Sequence, residues 1–143
     1  PSPVVLFEPP GDAYWRSWRH YVEVELLDAG LISPVDLDMV YITSDPGDAV
    51  AYVRNFYRVF HSIRHVGNRL YIRLNTDISD ETLATLNGEF GDLLTSGSIE
   101  RAEAAAVEVA DGDVPDLPRL RLRFNNAAHG RLHLMVQRLG ELV

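Results

Sequence analysis

The sequence predicts an α/β chain in two parts: the closing section of a doubly wound parallel sheet over residues 1–66, then a small α+β domain over 67–143. Two observations carry the first part. Short continuous apolar runs, "VVLF" and "MVYITS", suit strands buried on both faces, and each is followed by an amphipathic helical pattern. A third carries the second part: after Gly67 the apolar residues alternate strictly with arginine, as in "RLYIRL" and "RLRLRF", which suits strands with one covered face.

Val4–Phe7 is the first strand, and "EPPGD" breaks it. From Ala13, Trp15, Trp18, Val22, Leu26 and Ala29 recur at helical spacing, with Gly30 placed as the C-terminal cap. "SPVDLDM" predicts one short helical turn opened by Ser33, with Pro34 in the first position. "MVYITS" is the second strand. Asp45 and Pro46 open the next helix, whose stripe of Ala49, Val53, Phe56, Phe60 and Ile63 predicts a run up to Gly67. Beyond it, Arg69–Leu74 reads as a half-exposed strand. Ser79 caps a helix carrying Leu83, Leu86, Phe90 and Leu93 towards Gly97. "SIERAEAAAVEV" reads as a strand, "ADGDVPDLP" as a loop, Arg119–Phe124 as a strand, and Asn125 or Asn126 as the cap of a last helix. This β-α-β-β-α order is ferredoxin-like minus one strand, with both helices expected on one face of an antiparallel sheet.

Composition narrows the chemistry. At 46% apolar and 24% charged residues the chain is that of a soluble domain, and no apolar run is long enough to span a bilayer, so no membrane is expected as a partner. The net charge of −8 opposes nucleic-acid binding. With no cysteine the chain offers no disulfide or thiolate site, which fits a cytoplasmic location. All 13 basic residues are arginine, so Schiff-base and Walker-type lysines are excluded. The chain opens on "PSPVVLF", without methionine or signal pattern, and a fragment of a larger protein is expected.

The residues "PVVLF", "AYWRSWRHYVEVELLDAGLISP" and "DLDMVYITSDPGDAVAYV" resemble the closing section of the Lonely Guy family, the lysine-decarboxylase-like Rossmann proteins. The resemblance covers the first part of the chain, and the "GLISP" turn is its most specific element. "DAYW", Asp12 to Trp15, stands where the family shows "DGYY", so one glycine is missing. The resemblance implies a Rossmann-like nucleotide-binding protein that hydrolyses the N-glycosidic bond of N6-modified adenosine monophosphate. It implies no catalytic residue here, because the "PGGxGTxxE" turn, its glutamate and the partnering arginine are all absent. The parent is then an enzyme only through a segment outside this chain, and no cofactor is implied. What carries over is a pocket rim of Asp12, Tyr14 and Trp15 at the carboxyl edge of the first strand, where open α/β sheets bind ligands. A nucleotide would reach the parent protein there; Trp15 packing in its helix stripe is the competing reading. The accessory domain would serve oligomerisation, regulation or association with the missing segment. A stand-alone binding module is the alternative.

Two further groups merit weighing. His61 with His65, and His129 with His133, have the i, i+4 spacing at which two helix histidines reach one metal, but neither pair has a third ligand nearby, and no metal site is expected. Asp36 with Asp38 and Asp111 with Asp113 read as cap and loop carboxylates. Arg69, Arg73, Arg119, Arg121 and Arg123 are expected to share the uncovered face of the second sheet, paired with Glu100, Glu103 and Glu108 on the intervening strand. Such a face is solvated and salt-bridged, or an anion site, or a partner surface.

Overall fold

The computed structural model describes residues 1–143 and divides them into two compact units, Pro1–Arg54 and Asn55–Val143. It is a mixed α/β chain with six α-helices, a two-stranded parallel sheet and a four-stranded antiparallel sheet.

In the first unit, β1 (Val4–Phe7) pairs in parallel with β2 (Val40–Thr43), in the register Val4 to Val40 through Phe7 to Thr43. Helix α1 (Tyr14–Tyr21) continues into a wider turn over Val22–Leu27, where Asp28 N–H donates to the Glu23 carbonyl and Leu31 N–H to that of Leu26. Gly30 (φ +70°) then turns the chain. The "SP" of "GLISP" opens α2 (Pro34–Asp38), and the Asp36 carboxylate accepts from both the Ser33 N–H (2.8 Å) and the Ser33 hydroxyl (2.9 Å), so Asp36 is a cap rather than a free acid. Asp45 caps α3 (Pro46–Val59) by accepting from the N–H groups of Gly47 and Asp48.

Helix α3 ends at Val59, not at Gly67, and β3 (Phe60–Val66) begins on the next residue. "FHSIRHV" satisfies a helical stripe, but the two-residue turn Gly67–Asn68 decides its fate. Gly67 has φ +58° at the first central position, which closes a tight hairpin from Val66 back to Arg69 on β4 (Arg69–Leu74). Residues 60–66 therefore belong to the second sheet, and the boundary between units falls inside α3 rather than after residue 66.

The second sheet has the order β3-β4-β6-β5, all antiparallel, with β5 at Leu94–Arg101 and β6 at Arg119–Phe124. Helix α4 (Asp80–Glu89) is capped by the Ser79 hydroxyl, which accepts from Thr82 N–H. It stops well short of Gly97: a single 3₁₀ turn, Gly91–Leu93, leads directly into β5, and Gly88 and Gly91 weaken any longer helix. The alanine run expected as a strand instead forms α5 (Ala106–Asp111), closed by Gly112 in the left-handed region. The last helix, α6 (His129–Leu142), starts after Ala128, while Asn125 closes the preceding turn by accepting from Ala127 N–H.

Every residue of the buried core cluster lies between Phe56 and Leu139, hence in the second unit. Leu70, Ile72 and Leu74 of β4, with Leu120, Leu122 and Phe124 of β6, pack against Leu86 of α4 and Leu132, Met135, Val136 and Leu139 of α6. Gly140 of α6 lets the backbone of Asn55 come close: a Cβ there would lie 2.4 Å from the Asn55 carbonyl oxygen, and the Gly140 carbonyl also accepts from Arg58. Strand β4 is not half-exposed: Tyr71 and Arg73, on its other face, are buried too.

Candidate functional site: the arginine face of the second sheet

The strand register places the arginines before any side chain is considered. Arg73 lies opposite Arg119 and Tyr71 opposite Arg121 on the β4–β6 ladder, and Arg64 of β3 lies opposite Tyr71, so all of these share the face turned away from α4 and α6. Like charges directly across a ladder repel, and the face holds together only where acids meet them.

At one end they do. Glu108, fully buried on α5, accepts from both Nε (2.9 Å) and Nη2 (2.8 Å) of Arg73, and lies 3.9 Å from Arg119 Nε. Its other oxygen accepts from the Ala105 N–H at the start of its own helix. Burial alone would raise the Glu108 pKa; the Ala105 N–H and the charges of Arg73 and Arg119 outweigh it and hold the carboxyl below the usual range. Asp113 accepts from Arg73 and Arg64 at 2.6 Å each, Asp111 pairs with Arg64, and Arg73 also donates to the Ser62 hydroxyl. Arg119 donates to the carbonyls of Val114 and Pro115, and so holds the loop in which Val114 takes φ +45°.

Arg73 and Arg119 are thus buried structural cations, 5% and 3% exposed, not members of a solvated face. The expectation failed because Glu108 sits on a helix laid over the sheet instead of on a strand beside it, and Glu103 lies in the connection before that helix. The pair Asp111 and Asp113, read as loop carboxylates, completes the same network, as does Arg64, which the helical reading of "FHSIRHV" hid. Of the expected cross-strand pairs, Arg121 with Glu100 forms on the exposed surface, at 2.9 Å.

The other end of the face has no acid of its own. Arg69 and Arg123 lie one ladder step beyond Leu70 and Leu122, which are themselves opposite each other. Both line an open cavity of about 250 Å³ with His65, Asn68, Thr95 and Asn126. A larger cavity of about 560 Å³ lies elsewhere on this unit, and its wall mixes Arg101 and Arg119 with Asp77, Glu103 and Asp116.

In the first unit, the loop after β1 gathers around a residue that the sequence did not mark. Glu8 is 2% exposed; it accepts from the Trp15 N–H (2.9 Å) and lies 2.8 Å from Arg16 Nε. Trp15 also donates its indole N–H to the Phe7 carbonyl (3.1 Å) and meets Tyr14 and Trp18 edge-on. Asp12 and Tyr14 are exposed, and the Asp12 carbonyl accepts from Arg16. Trp15 is thus pinned to the end of β1 with Tyr14 against its ring, and Asp12 is tied to Arg16.

Of the two histidine pairs, only His129 and His133 keep the helical spacing, on α6. His61 and His65 lie on a strand, where four residues span roughly 13 Å, so the chelating helix spacing is lost. His133 is buried against Phe56 and His129 sits against Phe124. No three histidine, aspartate or glutamate side chains converge to hold a metal ion, and no helix is long and apolar enough to cross a membrane. Comparison with protein-family models, with curated proteins and with solved structures finds no match to this chain.

Proposed function

We propose that this chain is the closing part of a nucleotide-binding protein of the Lonely Guy type: Pro1–Arg54 contributes the last strands of a Rossmann-like sheet, and Asn55–Val143 is a ferredoxin-like accessory unit that serves association or regulation. The observation that supports this reading most is the uneven distribution of core. The second unit has its own complete apolar cluster, whereas β1 and β2, a parallel pair joined through a helix, leave Val4 and Phe7 42% and 45% exposed. Parallel strands belong in sheets covered on both faces. The exposed pair therefore calls for neighbouring strands, and Asp12, Tyr14 and Trp15 stand at its carboxyl edge, where such a sheet receives its ligand. Chemistry lies with the glycine-rich turn, glutamate and arginine of the family, none of which this chain carries.

The test is enzymatic and genetic together. The chain alone should release no base from adenosine monophosphate or its N6-substituted relatives, and the reading frame ahead of Pro1 should encode a "PGGxGT" turn. Turnover by the pure chain, or an initiator methionine directly before Pro1, overturns the reading. The second outcome would favour a stand-alone binding module, which the self-contained core of Asn55–Val143 also permits.

A further inference from the structure

Of the arginines on the second sheet's outer face, Arg64, Arg73, Arg119 and Arg121 each have an acidic partner, and Arg69 and Arg123 have none within ion-pair reach. Glu100 is hydrogen-bonded to Arg121, and its carboxylate also feels the charge of Arg69 at longer range without forming an ion pair with it. In a chain of net charge −8, two neighbouring guanidinium groups without a carboxylate are conspicuous, because acids are plentiful and the rest of the same face uses them. Placed side by side on adjacent strands, the two cations repel.

The cavity they line supplies what a small oxyanion requires. Arg69 and Arg123 give two forked sets of N–H donors, Asn68 and Asn126 bring amide groups to the lining, His65, Gly67, Leu70, Thr95 and Phe124 complete the wall, and no aspartate or glutamate lines it. The site is built from three places in the chain: the β3–β4 hairpin with its obligatory Gly67, the Leu94–Phe124 end of the β5–β6 pair, and the junction between β6 and α6. Two positive charges match a dianion. A cavity of about 250 Å³, open to solvent, admits a phosphate group while leaving any substituent outside.

We propose that Arg69 and Arg123 form a binding site for a phosphate dianion, either free or as the head of a phosphomonoester. The site is independent of the first unit and of any reading of its ancestry. It also accounts for the unpaired charges: the ligand replaces the carboxylates that the neighbouring arginines receive from α5 and its loop.

The experiment titrates the full chain with inorganic phosphate and with glycerol phosphate, following heat of binding and melting temperature at constant ionic strength, with potassium chloride and glycerol as controls. Saturable one-site binding and a rise in melting temperature are expected with both phosphates and with neither control. Arg123→Ala and Arg69→Ala should each weaken binding about tenfold or more, whereas Arg121→Ala, which removes an already paired arginine, should change it less than about twofold. Without phosphate, Arg123→Ala should melt at or above the unmodified chain, since it relieves repulsion. The relative affinities of the two phosphates identify the source of the ligand. The proposal is overturned if no saturable binding occurs, if chloride reproduces the shift, if Arg121→Ala weakens binding as much as Arg123→Ala, or if Arg123→Ala melts well below the unmodified chain in the absence of phosphate.

Discussion

Glu108 is the residue on which the arginine face turns, because it is the one fully buried acid between two buried arginines. Replacing it with alanine strands Arg73 and Arg119 in a dry site, and the expected loss is about 3–5 kcal/mol, readable as a collapse of the denaturant midpoint. Because its folded pKa is depressed, its contribution is complete above the ordinary glutamate range and is lost as pH falls through the lower folded value. His133 acts in a different window. Burial lowers its pKa, its ring lies 5.1 Å from that of Phe56, and its Nε2 has no hydrogen-bond partner. The folded chain keeps it neutral while the unfolded chain takes up a proton below about pH 6.5. Stability should therefore decline as pH drops through that value, and His133→Leu should flatten the decline. A pH–stability curve unchanged by the substitution would contradict this.

Strand β6 shows how differently the two sides of one element are valued. Leu122 is fully buried between the sheet and the helices. Leu122→Ala should leave a cavity there and cost about 2–5 kcal/mol, enough to unfold a marginal domain. Arg121, next in sequence, points the other way into an exposed pair with Glu100. Arg121→Ala should produce only a small loss in melting temperature, one that shrinks further in high salt. Urea melts of the two variants in low and high salt check both statements, and an Arg121→Ala loss comparable to that of Leu122→Ala would mean that the pair is not simply solvated. Helix α5 explains why the neighbouring arginines differ: only six residues long, it delivers Glu108 to one end of the sheet and leaves the other end bare.

At the scale of the whole molecule, the two units should behave unequally when separated. A polypeptide of residues 55–143 holds the entire core cluster and the four-stranded sheet, and it should melt cooperatively as a monomer. Residues 1–54 bury little more than Val22 and Leu37 among their large apolar side chains and expose Val4, Phe7, Tyr14, Tyr21 and Leu31, so they should be unfolded or aggregated alone. Circular dichroism and size-exclusion chromatography of both pieces decide it; a cooperatively folding 1–54 would remove the chief support for an incomplete parallel sheet.

Local signals settled much of this chain without tertiary help. The strand at Val4–Phe7, the Ser33–Pro34 opening of α2, the Asp45 and Ser79 caps and the alternation of β4 and β6 are each written in a few adjacent residues, because caps, turns and period-two patterning act over one turn or one strand. "FHSIRHV" and "AEAAAVEV" were ambiguous for the same reason: short apolar or alanine-rich runs satisfy helix and strand alike, and the Gly67–Asn68 hairpin and the Glu108 anchor decided between them. The arginines were visible in the sequence, and so was their common face. Which of them were buried was not, because that depended on α5 folding over one end of the sheet, and charge pairing across 35 residues, as between Arg73 and Glu108, exists only once the chain has closed on itself.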